Sequence, residues 1–137
     1  MRRTSAILWL LSLAAYPALA ADRMQGGKWE SAVTADGQTK MLTYCVTKEE
    51  AASINGDTRT AREFAESKAK KASEPCTFKS YEVKGDEVSY TMVCGTRTIN
   101  DRTVYHGISS EGVKTITKEG QTVTMRLNSR RVGENCL

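Results

Sequence analysis

The residues that could take part in the most kinds of chemistry are four cysteines, Cys45, Cys76, Cys94 and Cys136. Cysteine thiolates can carry out redox reactions or bind zinc, and both roles commonly use a C-x-x-C pair. No such pair occurs, and the one histidine, His106, lies far along the chain from the nearest pair of cysteines. Because zinc-ligand spacing is absent, we interpret the four cysteines as structural disulfides, and we predict no metal site and no cofactor.

Residues that could carry out catalysis are few. His106 could act as a general base, but no G-x-S-x-G or other nucleophile motif accompanies it. The acidic pairs Glu49-Glu50 and Asp86-Glu87 are explained by a helix cap and a turn, and nothing indicates a perturbed pair of carboxylates. We therefore name no catalytic residue and expect a protein that is not an enzyme. An envelope enzyme of unrecognised type is kept as the second alternative.

Trp29 and three arginines are the candidate binding residues. Trp29 could form a wall of a binding site, but we favour a place in the β core, where large rings near a strand start usually lie. Arg126, Arg130 and Arg131 are the one concentrated cationic group near a regular strand, and they could bind an anionic head group or a partner's carboxylate. The alternative is a solvated strand end, with Arg130 and Arg131 on opposite faces.

Most of the segments that must position these residues alternate between apolar and polar residues with the period of a β-strand. The predicted strands are Lys28–Ala35, Thr39–Val46, Thr77–Val83, Val88–Val93, a segment around Arg102–His106, Val113–Lys118 and Thr122–Arg131. We expect a turn at Ser109–Gly112 and a flexible start at Ala21–Gly27. The pattern predicts a mainly β (α+β) fold, an antiparallel meander of about seven strands curled into a partial or closed barrel, with one helical insertion between strands 2 and 3.

The helical insertion has clear start and stop signals. Residues 47–50, Thr-Lys-Glu-Glu, form a capping box for a short helix that Asn55-Gly56 ends. Asp57 can cap a second helix over Thr58–Ala72, whose apolar face contains only one large residue, Phe64. Such a thin face predicts a helix that lies across one side or end of the sheet.

The disulfide pairing depends on the hairpin between Cys76 and Cys94. A three-residue loop, Lys84 to Asp86, sets these cysteines opposite each other, whereas a two-residue loop shifts the register and places them on opposite faces. The second helix spans about 22 Å, roughly one strand length, so Cys45 would lie at the far end of the sheet with Cys136. We favour Cys76 with Cys94 and Cys45 with Cys136; the other pairing weighed is Cys45 with Cys76 and Cys94 with Cys136.

The first twenty residues have the features of a signal peptide. Arg2 and Arg3 precede an apolar run, and Ala18-Leu19-Ala20 supplies small residues for cleavage after Ala20. Residues 21–137 then form a single disulfide-bonded, β-rich domain without a transmembrane segment. The whole chain has 20 basic and 16 acidic residues. Without Arg2 and Arg3, 18 basic and 16 acidic residues remain. Such a balanced charge does not favour nucleic-acid binding.

Short motifs along residues 29–136 resemble the bacterial domain-of-unknown-function family 3617. The motifs are Trp29-Glu30, Cys45-Val46-Thr47, Cys76, Gly85, Cys94 and the terminal residues 130–136, R-R-V-G-E-N-C. The departures from the family pattern are Gly26-Gly27-Lys28 for P-G-x, Lys48 for a proline, Ser129 for a glycine and one extra residue before Cys136. The resemblance implies a small exported four-cysteine protein and implies no activity.

By elimination we expect a noncatalytic exported domain, located in the periplasm, that binds an envelope protein or a small ligand through one sheet face or the barrel mouth. The first alternative is an apolar small-molecule carrier, with a cavity lined by residues such as Trp29, Met92, Val123 and Met125. The sequence does not identify the ligand, the partner or the oligomeric state.

Overall fold

The computed structural model describes residues 22–136, which form one seven-stranded antiparallel sheet and two helices. The strands are β1 (Gly27–Ala35), β2 (Gln38–Val46), β3 (Cys76–Lys84), β4 (Glu87–Cys94), β5 (Arg97–Tyr105), β6 (Ser109–Lys118) and β7 (Gln121–Gly133), and the helices are α1 (Lys48–Ile54) and α2 (Thr58–Lys70). The strand order is β2-β1-β7-β6-β5-β4-β3. The sheet is a partial barrel, and the closed alternative is wrong because β2 and β3 remain at opposite edges. The helical insertion between β2 and β3 is confirmed, whereas the predicted signal peptide lies outside the described residues.

Tight turns set the register of the outer hairpins. Asp36 and Gly37 join β1 to β2 with φ angles of 50° and 73°, the positive values of a two-residue type I′ turn. The expected turn at Ser109–Gly112 is wrong, because β6 already begins at Ser109. The chain turns instead at residues 106–108, where Gly107 takes a φ of 81° that other residues rarely adopt.

A β-bulge brings Cys76 opposite Cys94 in the hairpin of β3 and β4. Lys84 pairs with Glu87, so the loop has two residues, the length that would separate the cysteines in a regular ladder. The register shifts by one residue between Phe78 and Ser80, and this shift restores the alignment. The two cysteines are disulfide-bonded with Cα atoms 4.3 Å apart. The predicted link between loop length and pairing is wrong because it assumed a ladder without a bulge.

Both helices begin at the predicted caps. The Thr47 hydroxyl accepts from the Glu50 amide at 3.1 Å, while the Glu50 carboxylate accepts from the Thr47 amide at 3.0 Å. Asp57 accepts from the Thr60 amide at the start of α2, which ends at Lys70, two residues before the predicted end. Both helices pack on one face of the sheet, the face that contains Trp29 and Phe78, which we call the inner face.

From residue 22 onward, contacts with the rest of the chain hold the segment before β1, so the expectation of a flexible start is wrong for these residues; Ala21 lies outside the described residues. Met24 is buried and forms two backbone hydrogen bonds with the Asn55 side chain, each 2.8 Å long. The Arg23 guanidinium donates to the carbonyl oxygens of Ile54 and Gly85. These carbonyls lie at the end of α1 and in the β3–β4 loop, so Arg23 ties the helices to the sheet.

The second disulfide joins Cys45 of β2 to Cys136, with Cα atoms 5.4 Å apart, and completes the pairing that we favoured. Two disulfides are typical of proteins from an oxidising, exported environment. Within residues 22–136, neither helix has the length and apolar character needed to cross a membrane.

The two disulfides should differ in their contributions to stability. The bridge between Cys45 and Cys136 spans 91 residues and the one between Cys76 and Cys94 spans 18. By loop entropy, they contribute about 4.6 and about 3 kcal/mol. We expect the Cys45→Ala/Cys136→Ala variant to lose more free energy of unfolding in urea than Cys76→Ala/Cys94→Ala. The opposite ranking would contradict this expectation.

Acid should remove a stabilising contribution of Glu50. Its carboxylate accepts from Lys68 Nζ at 2.6 Å and from the Thr47 amide, and these bonds lower the pKa of Glu50, the Lys68 bond most. A carboxyl with a lowered pKa stabilises the fold above its unfolded pKa of about 4.3, and this contribution is lost as the pH falls through the folded pKa. We expect Glu50→Gln to cost about 0.5 kcal/mol at pH 7, since the pair is partly exposed, and progressively less in acid.

Urea unfolding at several pH values measures this difference. The neighbouring Glu49→Gln is the matched control, and its effect should be smaller and less dependent on pH. A Glu50→Gln effect that stays constant from pH 7 into acid would contradict the role of the charge.

Candidate functional site

A recess of about 360 Å³ opens on the inner face between β2 on one side and β4 and β5 on the other. Small residues of the middle strands form its floor: Ser31, Ser110, Gly112 and Ser129. The register places Ser129 between Ser31 and Ser110, and the hydroxyls of Ser31 and Ser129 are hydrogen-bonded. Because these short side chains leave space that large ones would fill, the middle of the sheet is open. We call this space the central recess.

An ion pair lies in the wall of the central recess. Asp101 of β5 faces Lys114 of β6, and Lys114 Nζ lies 3.4 Å from Asp101 Oδ2. The two side chains are only 10% and 27% exposed. The Thr103 hydroxyl donates to Asp101 Oδ1 at 2.8 Å, and the Tyr90 hydroxyl lies 3.4 Å from Oδ2. A ligand beside this ion pair would therefore meet one negative group, one positive group and the hydroxyls of Thr103 and Tyr90.

Three tyrosines, Tyr44, Tyr90 and Tyr105, also line the central recess. Burial raises the pKa of Tyr90 and of Tyr105 well above the usual tyrosine range, and the negative charge of Asp101 raises both further. These two hydroxyls therefore stay protonated, and the rings stay neutral, throughout the physiological pH range. Neutral tyrosine rings attract cations to their faces.

A second recess, of about 330 Å³, lies between α2 and strands β3 and β4. It is mostly apolar, and we call it the helix recess; it is lined by Ile54, Phe64, Ala65, Lys68, Ala69, Ala72, Cys76, Phe78, Tyr81, Tyr90 and Met92. Ile54 and Tyr90 line both recesses, so the two are neighbours on the inner face. The rings of Phe78, Tyr81 and Tyr90 pack with centroids 5.2 to 5.9 Å apart. An apolar surface therefore borders the polar group of the central recess.

A larger depression, of about 950 Å³, lies where the N-terminal segment, α1 and the residues after β7 meet. Two of its polar side chains, those of Arg131 and Asn55, already have structural partners. Arg131 Nε donates to the Gly26 carbonyl at 2.7 Å, and Asn55 is paired with Met24. We take the central recess as the candidate site because a partly buried ion pair and three tyrosines line it, and because it adjoins the apolar helix recess.

The candidate residues from the sequence do not form one site. Trp29 is fully buried and donates from Nε1 to the Gln25 carbonyl at 2.9 Å, so it belongs to the core with Val46. Arg131 lies on the same face as Trp29, whereas Arg130 pairs with Glu30 on the opposite face. Arg126 also lies on that outer face, beside Val113 in a shallow groove.

The residues that we expected to line a carrier cavity lie in different parts of the structure. Met92 lines the helix recess, Trp29 is in the core, and Val123 is 41% exposed. His106 is exposed and its amide donates to the Ser109 carbonyl, so it belongs to the β5–β6 turn.

Sequence reasoning missed Asp101 and Lys114, which lie deep in the wall of the recess. The predicted strand around Arg102–His106 began too late to include Asp101. The available signal was the spacing of Asp101, Thr103 and Tyr105, which alternate along β5 and so share one face. Polar residues at such inward positions are unusual in a core strand and can mark a site.

The fold and the two recesses define a class of protein: a small, disulfide-bonded β half-barrel with a polar group beside an apolar recess, on a face that two helices cover in part. The family model described as a protein of unknown function, DUF3617, matches residues 24–136, and the chain belongs to this family. The matched span includes all four cysteines and every residue of both recesses. No curated protein and no solved structure matches the chain significantly.

Alkaline titration should reveal the buried tyrosines. Burial raises the pKa of Tyr81, Tyr90 and Tyr105, so they stay protonated in the folded state at a pH where unfolded tyrosines, with a pKa of about 10, ionise. The unfolded state then binds fewer protons, and stability falls by about 1.4 kcal/mol per pH unit for each such tyrosine. We expect Tyr90→Phe to reduce this slope above pH 10, as measured by urea unfolding. Tyrosine absorbance that rises fully before unfolding would contradict the burial.

Proposed function

We propose that the mature chain is a noncatalytic periplasmic binding protein that holds a small amphipathic molecule on the inner face of its sheet. The observation that carries the proposal is the paired recess, in which the polar group of Asp101 and Lys114 adjoins the apolar lining beneath α2. Pockets of roughly 300 to 1,000 Å³ with an apolar lining and a few polar groups are typical ligand sites. The signal-peptide features of residues 1–20 and the two disulfides support the compartment.

The head group of this molecule is inferred from the charges around it. Asp101 and Lys114 have opposite charges, so a zwitterion can satisfy both, whereas a simple anion or cation opposes one of them. The three tyrosines favour a quaternary ammonium as the positive part, because it is a weakly hydrated cation that tyrosine faces attract. The apolar tail would then lie in the helix recess against Phe64 and Met92.

A titration with three amphiphiles of equal chain length tests this proposal. Decyl betaine, decanoate and decylammonium are added below their micelle concentrations to isotope-labelled, disulfide-bonded protein, and amide chemical shifts are recorded. We expect saturable shifts centred on Asp101, Thr103 and Lys114, with decyl betaine binding most tightly. An absence of saturable shifts for all three would overturn the proposal, and substrate turnover in broad hydrolase screens would favour the enzyme alternative.

A matched pair of variants in β5 tests the location of the site. Thr103 lines the central recess and its neighbour Val104 lies on the outer face, and both are half-buried. Thr103→Phe should weaken decyl betaine binding roughly tenfold or more, because its ring takes up space that the ligand needs and the hydroxyl is lost. Val104→Phe should leave binding unchanged. Equal effects of the two variants would place the ligand elsewhere.

A further inference from the structure

Strand β2 is an open edge of the sheet. In the described chain β1 lies on one side of it and no strand lies on the other. All of its residues except Val46 are exposed, including Met41 at 60%, Leu42 at 54% and Tyr44 at 38%. Edge strands offer a row of unpaired backbone groups, and proteins usually protect them with lysines, prolines or bulges. β2 has one lysine, Lys40, and neither a proline nor a bulge.

The opposite edge, β3, has the protection that β2 lacks. Its register is interrupted by the bulge between Phe78 and Ser80. Its outward amide at Val83 donates to the Thr58 hydroxyl at 3.2 Å, and its outward carbonyl at Phe78 accepts from Arg62 at 3.5 Å. Helix α2 therefore engages the backbone groups of one edge and leaves the other free.

The β1–β2 turn determines which backbone groups of β2 point outward. A two-residue type I′ turn makes Ala35 and Gln38 a hydrogen-bonded pair, so alternate residues from Gln38 onward bond to β1. The residues between them direct their N–H and C=O groups to the open side; they are Thr39, Met41, Thr43 and Cys45. A further strand can therefore add to this edge without disturbing the sheet.

We propose that β2 pairs antiparallel with β2 of a second copy of this chain, with Leu42 on the two-fold axis. All nine residues of β2 then find a partner, because Gln38 faces Val46 of the second copy at each end. Antiparallel pairing centred on Met41 or Thr43 would leave two residues of β2 unpaired. A shift by a single residue would set inner-face side chains against outer-face ones. A two-fold interface uses the same patch on both chains, and β2 fits itself.

The side chains are complementary in this register. Leu42 packs on Leu42 of the second copy, and Lys40 lies opposite Tyr44 of the second copy, a cation beside an aromatic ring. Lys40 does not lie opposite Lys40 of the second copy, so the register brings no like charges together within the strand. Beyond the strand, Asp36 of the turn approaches Lys48 at the start of α1 of the second copy, so opposite charges meet at both ends.

The pairing also brings the two candidate sites together. Leu42 and Tyr44 line the central recess on its β2 side. In the dimer this side meets the same side of the second copy, so the two recesses lie next to each other across the axis. The dimer does not depend on the identity of the ligand, and its test uses neither Thr103 nor Val104.

Sedimentation equilibrium of residues 21–137, disulfide-bonded, at about 1 µM to 1 mM tests the proposal, since edge-strand interfaces are small and associate weakly. The average mass should rise with concentration from that of one chain to that of two. Leu42→Arg and Leu42→Glu should each weaken association roughly tenfold or more, because like charges face each other on the axis. An equimolar mixture of the two variants should associate again.

The matched control is Val123→Arg, which adds the same charge to a similarly exposed inner-face residue away from β2. This variant should dimerise like the unmodified chain. A constant mass of one chain at all concentrations would overturn the proposal. So would a mixture of the Leu42 variants that fails to associate, or an equal loss of association with Val123→Arg.

Discussion

Strands β2 and β3 are consecutive in the chain but lie at opposite edges of the sheet, so the 47–75 segment must cross one face to join them. This constraint accounts for most of the structure. The crossing segment forms two capped helices, and they can cover only part of the face that they cross. α1 packs at the Trp29 end and α2 lies along β3. The rest of the inner face stays open, and so does the edge of β2 that points away from β1.

Covalent and polar links hold the crossing segment in place because its helices bury little apolar surface. Phe64 is the only large apolar residue of α2, and Ala61 is the only residue of this helix that is buried. The Arg23 and Asn55 contacts fasten the N-terminal segment to the end of α1, and the two disulfides join β2 to the C-terminal residues and β3 to β4. A chain of this size has a modest core, so such links form a large share of its stability.

The ion pair of Asp101 and Lys114 is difficult to explain by stability alone. Moving two charges out of water costs free energy that their attraction often fails to recover, and apolar residues of similar volume often serve as well. Its place beside three tyrosines and a floor of serines is the feature on which the proposed binding of a polar head group rests. The hydroxyls of Thr103 and Tyr90 also hold the Asp101 carboxylate in position before any ligand arrives.

The sequence by itself determined the helix starts and most of the strands, because caps and alternation depend on neighbouring residues. Thr47 and Asp57 cap their helices where the sequence placed them. It did not determine the bulge at Phe78–Ser80, since a two-residue loop with a bulge and a three-residue loop align the cysteines equally well. Only the tertiary structure decided that Asp101 faces Lys114 and that the sheet stays open. Both depend on the register between strands and on the path of the helices, and these are set by contacts between residues distant in the chain.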